Sequence, residues 1–156
     1  MSGGGNRELI LARILTALDG LKAAPSAPYN MQVKLTSREL IPVEDLVRAT
    51  QFPALFVVAG EHIVDPDFEY RQMELSTLVV EIVGVIQARG AISTTLNKLI
   101  EDVKRKLMED RLLGGASQDL KSRGIPQIDE ESMAGDGVGG FRMKFEALYT
   151  HLASEI

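Results

Sequence analysis

The sequence predicts an α+β fold: a mainly antiparallel sheet packed against two amphipathic helices, with protruding loop or hairpin extensions. Three observations predict it. Two segments carry their apolar residues on one stripe at the helical period of about 3.6 residues. Several others alternate apolar with polar residues at the period of two that a half-buried strand requires. Helices with a single apolar stripe must bury it, and the surface available to cover them is a sheet.

The first helix is expected over residues 6–22. Leu11, Ile14, Leu15, Leu18 and Leu21 form its stripe, with Arg7, Glu8, Arg13 and Asp19 on the other sides. "AAPSAPYN" then ends it with two prolines. In "MQVKLTSREL", Met31, Val33 and Leu35 alternate with Gln32, Lys34 and Thr36, the pattern of a half-buried strand. Residues 42–50 suit one or two helical turns at most. Pro53 leads into "ALFVVAG", a continuous apolar run that predicts a central strand covered on both faces and ended by Gly60.

Residues 61–69, "EHIVDPDFE", read as an acidic loop. From Tyr70 to Ala88 the chain is strand-like for so long that, at 3.3 Å per residue, it would run about 60 Å if straight. Either it bends or bulges near Gly84, or its polar first third projects as half of a hairpin arm. Ser93 is placed to cap a second helix over residues 94–109. Leu96, Leu99, Ile100, Val103 and Leu107 are its buried stripe, and Lys98, Glu101, Asp102, Lys104, Arg105 and Lys106 its wet side. Pairs such as Glu101 with Arg105 and Asp102 with Lys106 have the spacing of helical ion pairs. Residues 120–131 suit a polar edge strand and 133–140 a flexible turn. "FRMKFEALYTHL" closes with Phe141, Met143, Phe145, Ala147 and Tyr149 on one face.

Composition sets the class. Hydrophobic residues make up 45% and charged residues 25%, as in an ordinary globular protein, and the length suits a single domain over residues 7–152 behind a flexible lead at 1–6. The formal net charge of −5 argues against a nucleic-acid-binding surface. With no cysteine, disulfides, thiolate metal sites and cysteine nucleophiles are excluded together. No apolar run reaches the length of a membrane span and no secretory signal opens the chain, so a cytosolic product is expected.

Motifs of chemistry are scarce. Gly135, Gly137 and Gly140 satisfy G-x-G-x-x-G in form, but strand periodicity follows them where a dinucleotide site needs a helix. His62 and His151 lack partners at metal-ligand spacing and read as a solvated loop residue and a strand-end residue. Asp129, Glu130 and Glu131 are consecutive, so on a strand their carboxylates point to alternate faces and read as a solvated edge. No catalytic, cofactor-binding or metal-binding residue is expected, and no enzyme.

The stretch "LMEDRLLGG" remains. Gly114 or Gly115 suits the left-handed conformation that ends a helix, with Leu112 or Leu113 packing back as the apolar cap contact. The helix "LNKLIEDVKRKLMEDRLLGGAS" follows "ELILARILTALDGL", "FPALFVVAGEH" and "LSTLVVEIVGVI", and the chain closes on "FRMKFEALYTHL". In order and spacing over nearly all of residues 7–152, the chain resembles the tail terminator (tail completion, or minor tail) proteins of long-tailed bacteriophages. Asp110, Leu113, Gly114, Gly115, Tyr149 and His151 match the recurrent pattern of Asp-x-x-Leu-Gly-Gly after a helix and a closing aromatic-x-His. The glycine-rich loop at 133–140 and the acidic loop at 61–69 depart from shorter members.

The resemblance implies a virion protein, assembled in the host cytoplasm. Six copies would ring the last layer of the tail tube, stop its polymerisation and offer a surface for head attachment. The implied partners are the chain itself as a homohexamer, the tail tube protein and a neck or head-completion protein, with DNA passing through the ring lumen. A neck or head-completion connector is the nearest alternative. A small intracellular enzyme or ligand-binding domain is the alternative of another class. The polar segment bearing Glu61, Asp65, Asp67, Glu69, Arg71 and Glu74 is expected to be poorly packed in its own subunit and to contact a neighbour or the tube.

Overall fold

Among the described residues, two helices cover one face of a five-stranded mixed sheet. The structure, a computed structural model, describes residues 5–23, 28–39, 52–65, 73–87, 92–129 and 138–152. Helix α1 (Gly5–Asp19) runs into a 3-10 turn at Gly20–Lys22. Ile10, Leu11, Ile14, Leu18 and Leu21 are buried, whereas Leu15 is half-buried, so the stripe is centred nearer Ile10 than the sequence suggests.

Strand β1 (Leu35–Ser37) is much shorter than the alternation from Met31 predicts. The reason lies in the hydrogen bonds before it. The Val33 N–H donates to the Leu21 carbonyl (2.9 Å) and the Lys34 N–H to that of Pro53 (2.8 Å), so the chain is tied to the end of α1 before it joins the sheet. Residues 42–50 and the expected helical turns there lie outside the described residues.

Strand β2 (Ala54–Val64) is covered on both faces over its first four residues, as its apolar run predicts. It does not stop at Gly60. The register with the next strand shifts between Ala59 and His62, and a Cβ on Gly60 would lie 2.8 Å from the Val79 carbonyl oxygen. Glycine here permits a bulge and a close backbone approach, not a strand end.

Strand β3 (Met73–Gln87) follows, then helix α2 (Ile92–Met108). Ser93 lies inside the first turn of α2 and is not its cap. Leu96, Leu99, Val103 and Leu107 are buried and Ile100 packs beside them, matching the predicted stripe. Strand β4 (Asp119–Asp129) is the expected edge, and β5 (Val138–Leu152) begins three residues before the predicted strand, claiming part of what reads as a flexible turn.

The sheet order is β1-β2-β3-β5-β4, with β1 parallel to β2 and the other pairings antiparallel. β3 and β5 pair without a register shift from Met73↔Leu152 to Gln87↔Val138. β4 shifts between Arg123 and Gln127, where Gly124 has φ +70° and Pro126 has no N–H to give to a ladder.

Alternation sorts the sheet into two faces. Leu55, Val57, Leu78, Val80, Ile82, Ile86, Phe141, Met143, Phe145 and Ala147 meet the helices, while Ala54, Phe56, Val83, Val85 and Val138 form a second cluster on the opposite face. Gly84 sits on the helix side directly across from Phe141, and a Cβ there would lie 2.2 Å from the ring. The ladder therefore does not bulge at Gly84; the missing side chain makes room for the Phe141 ring. Among the described residues no helix is long and apolar enough to cross a membrane.

Candidate functional site

Three places carry polar or strained groups that sequence or geometry marks out: the exit of α2, the bulged end of the β2–β3 hairpin, and the seat of residues 28–31 on α2.

α2 ends at Met108, several residues before the paired glycines. The chain then turns twice more. Asp110 offers its carbonyl to the Leu113 N–H (3.1 Å) and its carboxylate to the Gly114 N–H (2.8 Å). Leu112 accepts from Gly115 (2.8 Å) and Ser117 (3.0 Å). Leu113, Gly114 and Gly115 all have positive φ, at 49°, 66° and 100°. The glycines are thus not the simple cap of α2 that the sequence suggests but the core of a separate left-handed turn. Of the two leucines, Leu113 is buried in the main core and Leu112 is 53% exposed. Holding a leucine at positive φ costs roughly 1–2 kcal/mol, whereas burying it contributes about 1.5–3 kcal/mol. Burial wins, and the turn is set by the plug. Arg111 ties the exit to β4 through the Leu120 carbonyl (3.2 Å) and the Asp119 carboxylate (2.8 Å).

At the hairpin end, Glu61 and Ile63 are exposed on β2 and Asp65 is exposed just beyond it. The Asp65 N–H donates to the Leu75 carbonyl (2.8 Å). Glu74 is half-buried on β3 across from His151. Asp67, Glu69 and Arg71 lie outside the described residues. Residues 62–64 and 73–76 belong to the ladder, Glu61 lies in the bulge between Ala59 and His62, and Ser76 is buried. The expectation of a poorly packed arm over 61–76 therefore needs correction for these residues: β5 pairs along one side of β3 and β2 along the other.

His62, read from sequence as a solvated loop residue, is half-buried on β2. Its Nε2 lies 2.8 Å from the Tyr149 hydroxyl, and the rings stack at 6.0 Å. The register shift at Gly60 turns His62 toward Leu78 on the helix side, where Tyr149 also points. Burial pushes the Tyr149 phenol above its ordinary value, against the opposing effects of the Arg7 charge and the Ser76 hydroxyl. His151 stands near the end of β5 as expected.

The seat of residues 28–31 was not legible. Asp102, assigned from sequence to the wet side of α2, is fully buried. Its carboxylate accepts the Asn30 N–H (3.0 Å), the Asn30 side-chain amide (3.1 Å) and the Met31 N–H (2.9 Å). Arg105 donates to the Pro28 carbonyl (3.0 Å) instead of pairing with Glu101. Lys106 pairs with Glu109 (3.4 Å) instead of Asp102 and lies over the Tyr29 ring. The Tyr29 hydroxyl donates to Glu109. The charged face of α2 is thus partly a dock for its own chain. A signal was present, because Asp102 sits three residues after Leu99 and beside Val103, on the flank of the buried stripe.

This dock carries a pH signature. Burial first, then the hydrogen bond to Glu109, pushes the Tyr29 phenol from 10 up to about 12, while the same bond holds the Glu109 carboxyl below its ordinary value. A phenol raised on folding contributes stability that is complete below pH 10 and is lost as pH rises through about 12. Alkaline titration followed by tyrosinate absorbance is expected to show a late step near pH 12 whose amplitude Tyr29→Phe lowers by one phenol. An unchanged late amplitude in that variant would contradict the Tyr29–Glu109 contact.

Among the described residues, no three histidine, aspartate or glutamate side chains gather as a metal site requires. The strand that follows Gly140 rules out the helix that a dinucleotide-binding glycine motif needs. No protein-family model matches the chain, and no curated protein matches it in sequence.

Proposed function

We propose that this chain is a structural assembly subunit, the tail terminator of a long-tailed bacteriophage. Six copies form a ring on the last layer of the tail tube, halt its growth and present a surface to the head-side connector. The observation that carries this reading is the order of elements ending in the Asp110–Gly115 exit and the closing strand with Tyr149 and His151. The α+β architecture is compatible with the resemblance, and the Asp110 carboxylate on the Gly114 N–H gives that recurrent pattern a physical role. The exposed carboxylates at the β2 end suit a protein that must remain soluble as a subunit and dock reversibly.

The test is a phage lacking this chain. The expected result is overlong tubes without heads, with purified protein restoring tubes of normal length. Tubes of normal length that merely fail to join heads would instead favour a neck connector. Normal virions would overturn both.

A further inference from the structure

The helix-side face of the sheet is apolar along most of its length and turns polar where the β2–β3 hairpin meets the last residues of β5. Three side chains from three strands converge there. Ser76 is in register with Tyr149 across the β3–β5 ladder and with Val64 across the β2–β3 ladder. The bulge after Ala59 brings His62 to the same face, with its Nε2 2.8 Å from the Tyr149 hydroxyl. Ser76 and Tyr149 are 1% and 3% exposed, so the phenol finds its hydrogen-bond partners here and not in water.

Burial pushes the Tyr149 phenol up, and the Arg7 charge and the Ser76 hydroxyl both pull it down, so each turns its positive end toward the phenol oxygen. The phenol hydrogen is then left for His62, and Nε2 is its acceptor, a role that only the neutral ring can fill. Protonation makes Nε2 a donor. A third positive end then meets an oxygen that Ser76 and Arg7 already face, and the buried O–H loses this acceptor. The surrounding charges do not offset this. Arg7 approaches from α1, where Glu8 is taken by Arg38 (3.0 Å). Glu74 sits two residues beyond Ser76 on β3, in register with His151 of β5 and not with His62. Glu61 and Asp65, along the chain from His62, are exposed, where solvent and salt screen them.

We propose that His62 is a pH-dependent latch on the bulged end of β2. Neutral, it takes the Tyr149 hydrogen and ties β2 across β3 to β5. Charged, it lets go, and the bulge at residues 60–62 loosens while the ladder between β3 and β5 holds. A contact that only the neutral ring makes contributes stability above the histidine range and is lost as pH falls through it. An ordinary imidazole titrates at about 6.5, so the latch is closed at neutral pH and opens in mild acid. The released stretch carries the exposed side chains of Glu61 and Ile63 and lies beyond the pairing of β2 with β1. Acidification therefore changes how this end of the sheet is presented, in a lone subunit as in a ring.

The experiment is hydrogen exchange of the backbone amides of residues 60–65 in the full-length chain, at about pH 7.5 and about pH 5.5, expressed as protection over the unstructured rate at each pH. Wild type is expected to lose protection there about tenfold on acidification, while the amides shared by β3 and β5 keep theirs. His62→Gln, whose side-chain carbonyl accepts at either pH, is expected to hold its protection at both. Tyr149→Phe, which removes the donor, is expected to show the lower protection at both. Equal protection of wild type at the two pH values, or an equal acid loss in His62→Gln, overturns the latch. Where a variant fails to fold, nitrogen NMR of the wild-type His62 ring at neutral pH decides: an unprotonated Nε2 supports the latch and a protonated one overturns it.

Discussion

Replacing Asp102 with alanine is expected to cost about 3 kcal/mol of stability. The fully buried carboxylate accepts two backbone N–H groups, from Asn30 and Met31, together with the Asn30 side-chain amide. Alanine leaves these part-buried donors without their charged acceptor, and a hydrogen bond to a charged group contributes roughly 1.5–3 kcal/mol. Asp102→Asn keeps one acceptor oxygen but turns an amide toward donors, so about half that loss is expected. Urea unfolding should show a lower midpoint at unchanged slope, because the substitution weakens the seat of residues 28–31 without changing the area exposed on unfolding. An alanine variant within roughly 0.5 kcal/mol of wild type would mean that residues 28–31 are not held by this carboxylate.

The double substitution Gly114→Val, Gly115→Val is expected to cost about 2–4 kcal/mol, since each valine must hold a left-handed backbone at roughly 1–2 kcal/mol. Both φ values, 66° and 100°, lie where a β-branched residue is strained. Nothing crowds a Cβ at Gly115, so strain alone acts there, whereas at Gly114 a Cβ would also meet the Arg13 guanidinium at 2.5 Å. For a domain of this size the melting temperature should fall by roughly 5–15 °C. Asparagine at the same positions should cost much less, because it tolerates this conformation. An unchanged melting temperature for the valine pair would show that neither residue holds a positive φ.

The elements that sequence disclosed are those whose signal is local. The stripe from Leu96 to Leu107 and the alternation from Phe141 to Tyr149 each follow from one periodicity, and each element forms where its pattern lies. What stayed hidden depends on a second segment far away in sequence. Nothing in α2 alone says that Asn30 and Met31 will bring two N–H groups to Asp102. Gly84 looks like a bend until the register sets Phe141 across from it, and Gly60 like a terminator until Val79 is seen behind it. His62 changes from loop residue to Tyr149 partner through the same bulge. At the exit of α2 the left-handed glycines were readable, while the choice of Leu113 over Leu112 as the plug depended on where the core lay.

The ladder between β3 and β5 joins residues roughly fifty to eighty positions apart, and contacts this distant form slowly because a long loop must close first. β5 is also synthesised after β4, yet it lies between β3 and β4 in the sheet. A ribosome making this chain therefore releases β3 and β4 with no strand to join them, and the sheet stays in two parts until residues 138–152 emerge. An interrupted translation product would carry an open edge on β3 and an orphaned β4, a target for proteases and chaperones. A continuous sheet is thereby withheld until β5 has been delivered.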